Sequence, residues 1–278
     1  VLDTWFSSAL WPFAIFGWPE KTKDLKTFYP TAVLSTARDI INLWVARMIF
    51  SGNEFMKKNP FKYVYIHATI LTKDGKRMSK SLGTGVNPLL LIDQFGADAT
   101  RFGLAFQITG NQDIKFGQEP IIMGKKFCNK IWNAARFVLQ QTEKSEIRNP
   151  KSEINSKLKI INSKKLTAAD KKILKSLENT IKSTNKYLDN FQFGKAAQLL
   201  YDFFWHDFCD VYIEASKMQL ALSKTERSDE KTNEILSHVL LSSLKILHPF
   251  IPFVTEEIYQ ELPLKDKKKC LMIESWPK

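Results

Sequence analysis

One polar loop, from Lys76 to Gly85, contains the residue types in this sequence that are best suited to chemistry. Cations, hydroxyl groups and glycines occur together in this loop and directly before it, at Lys76, Arg77, Lys80, Ser79, Ser81, Gly75, Gly83 and Gly85. Cations and hydroxyl groups bind phosphate, and glycine lets the backbone come close to a ligand. The Gly-x-x-x-x-Gly-Lys-Ser/Thr order of a P-loop is absent. We therefore expect the loop lysines to approach a triphosphate and to stabilise the charge that builds up as pyrophosphate leaves, and a basic surface loop is the alternative.

The segments before this loop predict a parallel sheet that positions it. Short β-branched and aromatic runs, Val33–Thr36 and Tyr63–His67, flank a helical pattern over Asp39–Phe50. Strand, helix, strand is the βαβ unit of a parallel sheet, and the second strand leads into the loop. Because ligands of open α/β sheets bind at the carboxyl ends of the strands, we expect the site at that edge. Helical patterning restarts at Pro88 and continues through Phe106.

From residue 119 onward the pattern is helical with few glycines. Apolar spacing predicts helices over Met123–Gln141, Ala168–Asp189, Phe193–Leu220, Asp229–Leu247 and Pro252–Leu262. In the third of these, a buried apolar stripe is expected from Leu200, Phe203, Phe204, Phe208 and Val211. Residues 143–166 are rich in Lys, Ser and Asn and lack a core face, which predicts a basic flexible linker. The expected fold class is therefore α/β followed by all-α, with domains at 1–118 and 119–278.

The composition excludes several classes of protein. With 278 residues, 44% of them hydrophobic, the chain is not disordered throughout, and 41 Lys+Arg against 29 Asp+Glu suit a polyanionic partner. Cys128, Cys209 and Cys270 lie far apart, which excludes a disulfide framework and a zinc knuckle and indicates a reducing compartment. No stretch approaches about 20 apolar residues, so a membrane protein is not expected. The first residues lack the features of a signal peptide.

Several motifs resemble one family. Arg77-Met78-Ser79-Lys80-Ser81 resembles the KMSKS signature of class I aminoacyl-tRNA synthetases, with Arg in place of the first Lys. The branch of that family specific for valine is similar at Asp3–Pro12, Gly17–Glu20 and Asp39–Ile49, and its helical anticodon-binding domain is similar at Phe127–Phe137 and Leu247–Glu257. The resemblance implies the second half of a doubly wound, Rossmann-type catalytic domain with the KMSKS loop at 73–85, followed by a helix-bundle anticodon-binding domain. The first half, with its His-x-Gly-His signature, is not found in this sequence.

The resemblance also implies a function. It indicates a ligase that activates valine with ATP as valyl-adenylate and transfers it to tRNA(Val), here as an incomplete chain. ATP is expected as its Mg²⁺ complex, a substrate, with no protein-bound metal or organic cofactor. The expected partners are tRNA(Val), valine, ATP and the missing N-terminal half of the catalytic domain, in a cytoplasmic protein that is a monomer when complete. The alternative is a non-catalytic RNA-binding module derived from a synthetase.

Carried over position by position, the resemblance assigns roles to named residues. Lys80 and Arg77 are the catalytic cations. ATP contacts are expected from His67, Met78, Ser79, Lys80 and Ser81, and valine contacts from Trp5, Asp39, Ile40 and Trp44. In these roles Asp39 pairs with the substrate ammonium group, and the two tryptophans form the walls of an apolar slot. Without the resemblance, the tryptophans are core aromatics, Asp39 is a helix N-cap and His67 is a structural residue.

RNA contact is expected on the polar side of the first long helix. The candidates are Lys126, Asn129, Lys130, Asn133 and Arg136. A solvated helix face is the alternative. Unpaired RNA bases also need aromatic or Arg side chains on which to stack, and the sequence assigns no residue to that role.

Overall fold

The computed structural model describes residues 2–79, 83–110, 112–148, 166–222, 226–264 and 267–277, and the side chains of 143–148 and 226–230 are outside that description. The chain forms two compact units, one of residues 1–77 and 110–115 and the other of residues 78–109 and 116–278. The domain boundary at residue 118 stays a prediction.

The N-terminal unit begins with two helices, α1 (Thr4–Ala14) and α2 (Lys23–Phe28). The side chain of Asp3 accepts the backbone N–H of Trp5 at 3.2 Å and so caps the start of α1. Buried residues from both helices and the segment after them form a small core, which consists of Phe13, Leu25 and Tyr29.

A parallel pair of strands confirms the predicted βαβ unit. Strand β1 (Thr31–Thr36) lies beside β2 (Phe61–Ile66), and their last residues, Thr36 and Ile66, are opposite each other. The connection is one helical segment made of a 3₁₀ turn (Arg38–Ile40), a π-helical segment (Ile41–Val45), α3 (Ala46–Ser51) and a second π-helical segment (Gly52–Met56). A core of Leu34, Val45, Met48 and Phe61 holds this segment against the strands.

A second, shorter parallel pair completes this unit. Strand β3 (Ile70–Leu71) pairs with β4 (Ile114–Lys115), so the chain leaves the unit after residue 77 and returns to it at residue 110. After β3 the backbone turns back on itself, and Leu71 and Arg77 form an antiparallel bridge.

The second unit is helical. Its helices are α4 (Pro88–Phe95), α5 (Ala97–Phe106), α6 (Glu119–Arg148), α7 (Ala168–Asp189), α8 (Phe193–Asp202), α9 (Glu214–Leu222), α10 (Glu226–Leu247) and α11 (Pro252–Glu261), with a π-helical segment (Phe203–Ile213) joining α8 to α9 and a 3₁₀ turn at Leu271–Ile273. The helices predicted over Ala168–Asp189 and from Phe193, Asp229 and Pro252 are confirmed. Helix α6 continues to Arg148, so the first residues of the predicted linker are helical, and residues 149–165 of that linker lie outside the described residues.

One large core fills the helical unit. Leu200, Phe203, Phe204 and Phe208 are buried as the spacing predicts. The prediction for Val211 is wrong, because its side chain is 48% exposed and Tyr212 is buried instead. The cause is the π-helical segment, since its wider turn shifts every later residue around the helix axis relative to an α-helix.

Helices α5 and α6 approach closely through two glycines. A methyl group on Gly124 would lie 2.6 Å from the carbonyl oxygen of Ala99, and one on Gly103 would lie 2.7 Å from the Cα of Ile121. The backbones of the two helices can therefore approach this closely only because both positions are glycine and carry no side chain. In the part of the chain that the structure describes, no helix is long and apolar enough to cross a membrane.

Candidate functional site

Two of the predicted site residues follow the carboxyl ends of the parallel strands. Asp39 lies in the 3₁₀ turn after β1, and His67 is the first residue after β2, where its backbone N–H donates to the Thr36 carbonyl at 3.0 Å. The His67 ring is exposed, and its Nδ1 lies 3.0 Å from the Ala68 carbonyl oxygen. The strand order that the sequence predicts thus brings both residues to the edge where ligands of such sheets bind.

A tight hairpin holds Arg77. The backbone N–H of Thr72 donates to the Lys76 carbonyl at 2.8 Å, and that of Gly75 donates to the Thr72 carbonyl at 2.9 Å. Gly75 has a φ of +81°, a conformation that a residue with a side chain rarely adopts. With the Leu71 bridge, these bonds fix the backbone at Arg77.

Arg77 and Asp39 form an ion pair. The guanidinium Nη2 donates to Asp39 Oδ2, and both side chains remain more than half exposed, at 66% and 55%. The neighbouring Arg38 faces a different carboxylate, since its Nη2 lies 3.8 Å from Asp113 Oδ1. The sequence placed Arg77 with ATP and Asp39 with valine, and it gave no sign that the two side chains contact each other.

The rest of the loop belongs to the helical unit. The backbone N–H of Ser79 donates to Thr84 Oγ1 at 2.9 Å, and the backbone N–H of Thr84 donates to the Ser79 carbonyl at 3.2 Å, so the loop closes at its base. Met78 and Ser79 are half-buried. Lys80 and Ser81, predicted to contact ATP, lie outside the described residues.

The predicted valine-binding tryptophans have separate neighbours. The Trp5 ring is 38% exposed and lies 6.3 Å from the Phe50 ring, centre to centre. Trp44 donates from Nε1 to the Ser8 carbonyl at 3.3 Å, and its ring lies 5.7 Å from that of Trp11. Ile40 is half-buried at the end of the 3₁₀ turn, directly before the π-helical segment that carries Trp44.

Arg47 is a neighbour of this site that sequence reasoning missed. Its guanidinium lies 4.8 Å from the centre of the Trp5 ring, which is a cation–π geometry. The available signal was an arginine three residues after Trp44 in an otherwise apolar helical segment. Arg47 therefore fixes the orientation of Trp5 from α3.

Helix α6 presents the predicted RNA-binding residues unequally. Lys126, Asn129, Asn133 and Arg136 are exposed on one stripe of the helix. Lys130 is anchored instead, because its Nζ lies 2.8 Å from Asp210 Oδ1 and 5.1 Å from the centre of the Trp205 ring. The hydrogen bond raises the pKa of Lys130 and lowers the pKa of Asp210. Lys130 thus ties α6 to the π-helical segment.

An exposed aromatic side chain lies beside this stripe. Trp132 is 40% exposed and lines a cavity of about 410 Å³ together with Arg136, Glu257 and Glu261. The sequence could have indicated it, since Trp132 lies off the buried stripe of α6. An exposed aromatic ring of this kind is a surface on which an unpaired base can stack.

In the regions described, the structure offers no metal site, and two of the three cysteine thiols pack into the core. Among those residues, no group of three or more His, Cys, Asp or Glu side chains could hold a metal ion. Burial raises the pKa of both the Cys128 and Cys209 thiols to about 12, so at neutral pH they are protonated core residues.

Two protein families match the chain. Residues 1–117 match the tRNA synthetases class I (I, L, M and V), and residues 170–278 match the anticodon-binding domain of tRNA ligase. Curated relatives align over both regions. The chain is 47% identical to the valine–tRNA ligase of Clostridium tetani and 48% identical to that of Thermotoga maritima, in each case over 280 residues and 100% of the chain. It spans about 30% of the length of these relatives.

Solved structures share the fold. The LeuRS of Agrobacterium radiobacter K84, in a ternary complex with tRNA and LeuAMS, superposes with a TM-score of 0.78 at 17% identity, covering 99% of this chain and 32% of that one. The methionyl-tRNA synthetase of Mycobacterium tuberculosis, in complex with methionyl-adenylate, has a TM-score of 0.70 at 18% identity, covering 89% of this chain and 48% of that one. These likenesses confirm the predicted fold class.

Proposed function

We propose that the chain is part of a valine–tRNA ligase, because residues 1–117 match the class I tRNA synthetases and residues 170–278 match the anticodon-binding domain of tRNA ligase. The observation that carries the proposal is an identity of 47–48% to valine–tRNA ligases in alignments that cover the entire chain. The activity is ATP-dependent formation of valyl-adenylate, followed by transfer of valine to tRNA(Val).

Valine binds at the carboxyl end of β1. Its ammonium group pairs with Asp39, and its branched side chain lies in an apolar slot formed by Trp5, Ile40 and Trp44. The exposure of Trp5 and the position of Asp39 at the strand edge support this arrangement. The cation–π contact from Arg47 holds the Trp5 ring in place.

The proposed ATP contacts come from His67 and from the signature loop. His67 lies near the adenosine, while Met78, Ser79, Lys80 and Ser81 contact the triphosphate, which arrives with Mg²⁺ as its substrate complex. The valine carboxylate attacks the α-phosphorus, and the bond from that phosphorus to the bridging oxygen of pyrophosphate breaks. Lys80 and Arg77 stabilise the charge that accumulates on the leaving pyrophosphate.

The transfer step uses tRNA bound along the helical unit. A terminal ribose hydroxyl of the tRNA attacks the carbonyl carbon of the adenylate, and AMP leaves. Lys126 and Arg136 contact phosphates, Asn129 and Asn133 hydrogen-bond the RNA, and Lys130 contributes less because Asp210 already pairs with it. Trp132 is available for base stacking. The complete protein is a cytoplasmic monomer that includes the N-terminal half of the catalytic domain.

A hybrid ligase tests the proposal. In it, this chain replaces the matching segment of the Thermotoga maritima valine–tRNA ligase, to which it is 48% identical. We expect the hybrid to charge tRNA(Val) with valine. The substitution Lys80→Ala should slow adenylate formation by about a hundredfold or more with little change in valine affinity, because the contact is made mainly in the transition state.

The control is Lys73→Ala, which removes a cation from the same polar segment ahead of the signature and should leave the rate nearly unchanged. A hybrid that folds and does not charge tRNA(Val) would contradict the proposal. Unchanged adenylate formation in Lys80→Ala would contradict the role of that lysine.

A further inference from the structure

The carboxylate proposed to receive the substrate ammonium group already has a cationic partner. Arg77 donates to Asp39 Oδ2, so the guanidinium group occupies one oxygen of the proposed ammonium site. Arg77 is also the residue that stands at the first Lys of the loop signature. One side chain thus belongs to the ATP loop by sequence and to the amino acid site by contact.

The contact is built into the local backbone. The hairpin from Leu71 to Arg77 is closed by hydrogen bonds of 2.8 and 2.9 Å and by the bridge at its ends, while Asp39 is held in the 3₁₀ turn after β1. Arg38, adjacent to Asp39, points its guanidinium toward Asp113, whose Oδ1 also accepts the Thr69 N–H at 3.1 Å. Arg77 therefore pairs with Asp39, while Arg38 faces Asp113.

We propose that Arg77 is the resident counter-ion of the valine site and exchanges with the substrate. When valine binds, its ammonium group replaces the guanidinium on Asp39, and the released Arg77 becomes free to contact the ATP phosphates. No covalent bond changes in this step. The inference rests on the proposed function, since it takes Asp39 as the ammonium site.

The exchange gives Arg77 two opposite effects on the reaction. Before ATP binds, Arg77 competes with valine and weakens its binding. After ATP binds, the same guanidinium stabilises negative charge and speeds adenylate formation. Since both groups are more than half exposed, solvent screens the pair, and the competition is worth at most about fivefold in affinity. By linkage, valine and ATP each favour binding of the other through the release of Arg77.

The test is valine binding to the hybrid ligase without ATP, measured by calorimetry. Arg77→Gln should bind valine about two- to fivefold more tightly than the wild type, although it forms adenylate more slowly. Valinol keeps the ammonium group and lacks the carboxylate, so its affinity for Arg77→Gln should rise by the same factor. Isovalerate lacks the ammonium group, so it should bind Arg77→Gln no more tightly than the wild type. A gain confined to ammonium ligands cannot come from a general change in folding.

Two further variants separate the possible failures. Arg38→Gln removes a cation one residue from Asp39 and should leave valine affinity unchanged, because its partner is Asp113. Asp39→Asn should weaken valine binding, and adding Arg77→Gln to it should produce no gain. If Asp39→Asn has no effect on valine, the ammonium site itself is assigned wrongly. If Asp39→Asn weakens valine binding and Arg77→Gln leaves it equal or weaker, the exchange is overturned while the proposed function stands.

Discussion

The carboxylate of Asp98 accepts the backbone N–H of Val254 at 2.7 Å, so a residue of α5 caps the first turn of α11, 156 residues further along the chain. The same carboxylate accepts the Phe253 N–H at 3.2 Å. From the next turn of α5, Arg101 donates to the carbonyl oxygens of Pro249 and Phe250 at 3.0 and 3.2 Å. Helix α5, in the region that matches the synthetase family, is thereby bonded to a turn in the region that matches the anticodon-binding family.

Removing the Asp98 carboxylate should destabilise the helical unit. Asp98→Ala leaves two N–H groups at the start of α11 without their acceptor, and we expect it to lower the free energy of unfolding by about 2 kcal/mol. Urea unfolding followed by helical circular dichroism measures this. The exposed Asp93 on α4 is the control, and Asp93→Ala should change stability by less than about 0.5 kcal/mol. Equal losses in the two variants would show that the cap contributes nothing specific.

The stability of the chain should fall in mild acid because of His248. Thr255 Oγ1 donates to the Ile251 carbonyl at 2.8 Å, so it accepts from His248 Nδ1–H, also at 2.8 Å. The other ring nitrogen, Nε2, is buried and has no hydrogen-bond partner among the described residues. A second proton on the ring would therefore be buried without an acceptor.

Burial lowers the pKa of His248 below its ordinary value of 6.5, and the negative charges of Glu256 and Asp98 oppose that shift. As pH falls, the unfolded chain takes up this proton first. The contribution of His248 to stability is therefore fully present above pH 6.5 and is lost as pH drops through the lowered pKa. Burial raises the pKa of Asp98, which gives a contribution of opposite sign.

The measurement is the free energy of unfolding of the wild type and of His248→Asn, at about pH 7.5 and about pH 5.5. The difference between the two proteins gives the part of the pH dependence that is due to the histidine. The Asn amide can donate to Thr255 and cannot take a proton in this range. We expect the wild type to lose more stability than the variant between the two pH values, because only the wild type carries the buried ring that must take up a proton. An equal loss in the two proteins would contradict the assignment.

The close approach of α5 and α6 makes Gly124 intolerant of any side chain. Gly124→Ala would place its methyl group 2.6 Å from the Ala99 carbonyl oxygen, and the helices must move apart to relieve the overlap. We expect a loss of about 1–3 kcal/mol in the free energy of unfolding. Gly85 has nothing within 4 Å of the same position, so Gly85→Ala serves as the matched control and should be nearly neutral. A neutral Gly124→Ala would refute the packing described for these helices.

The residues of the α6 stripe should differ in their effect on RNA binding. Lys126→Ala and Arg136→Ala should each weaken tRNA binding and lower the slope of log affinity against log salt by about one. Lys130→Ala should change the slope less, because this lysine is neutralised by Asp210 at 2.8 Å. Filter binding of tRNA between about 50 and 200 mM salt measures all three. Equal slopes in the three variants would show that the Asp210 pair does not restrain Lys130.

Patterns carried by spacing were predictable from the sequence. The βαβ unit follows from two short strands around a helical segment, and helix α7 was predicted with its observed bounds because an apolar period runs through it. Thr167 is the N-cap residue of this helix, and its side chain accepts the Asp170 backbone N–H at 3.2 Å. The positions of Asp39 and His67 at the strand edge follow from the same topology.

Features that depend on side-chain contacts distant in sequence were not predictable. The Arg77–Asp39 pair joins residues 38 positions apart, and nothing in either segment indicates the other. The exposure of Val211 depends on a π-helical segment that apolar spacing cannot distinguish from α-helix. Helix α1 was not predicted because its apolar residues surround the helix instead of forming one stripe, which leaves no period to detect.

Valine-dependent ATP–pyrophosphate exchange tests the central claim most directly, that this chain supplies Asp39 and Lys80 to a valine-activating site. The assay is run on the chain alone and again with the N-terminal part of the Thermotoga maritima relative supplied separately. We expect exchange only with both parts present, and its loss when the chain carries Asp39→Asn. No exchange in either case, together with salt-sensitive tRNA binding by the chain alone, would contradict the claim and identify a non-catalytic RNA-binding module instead.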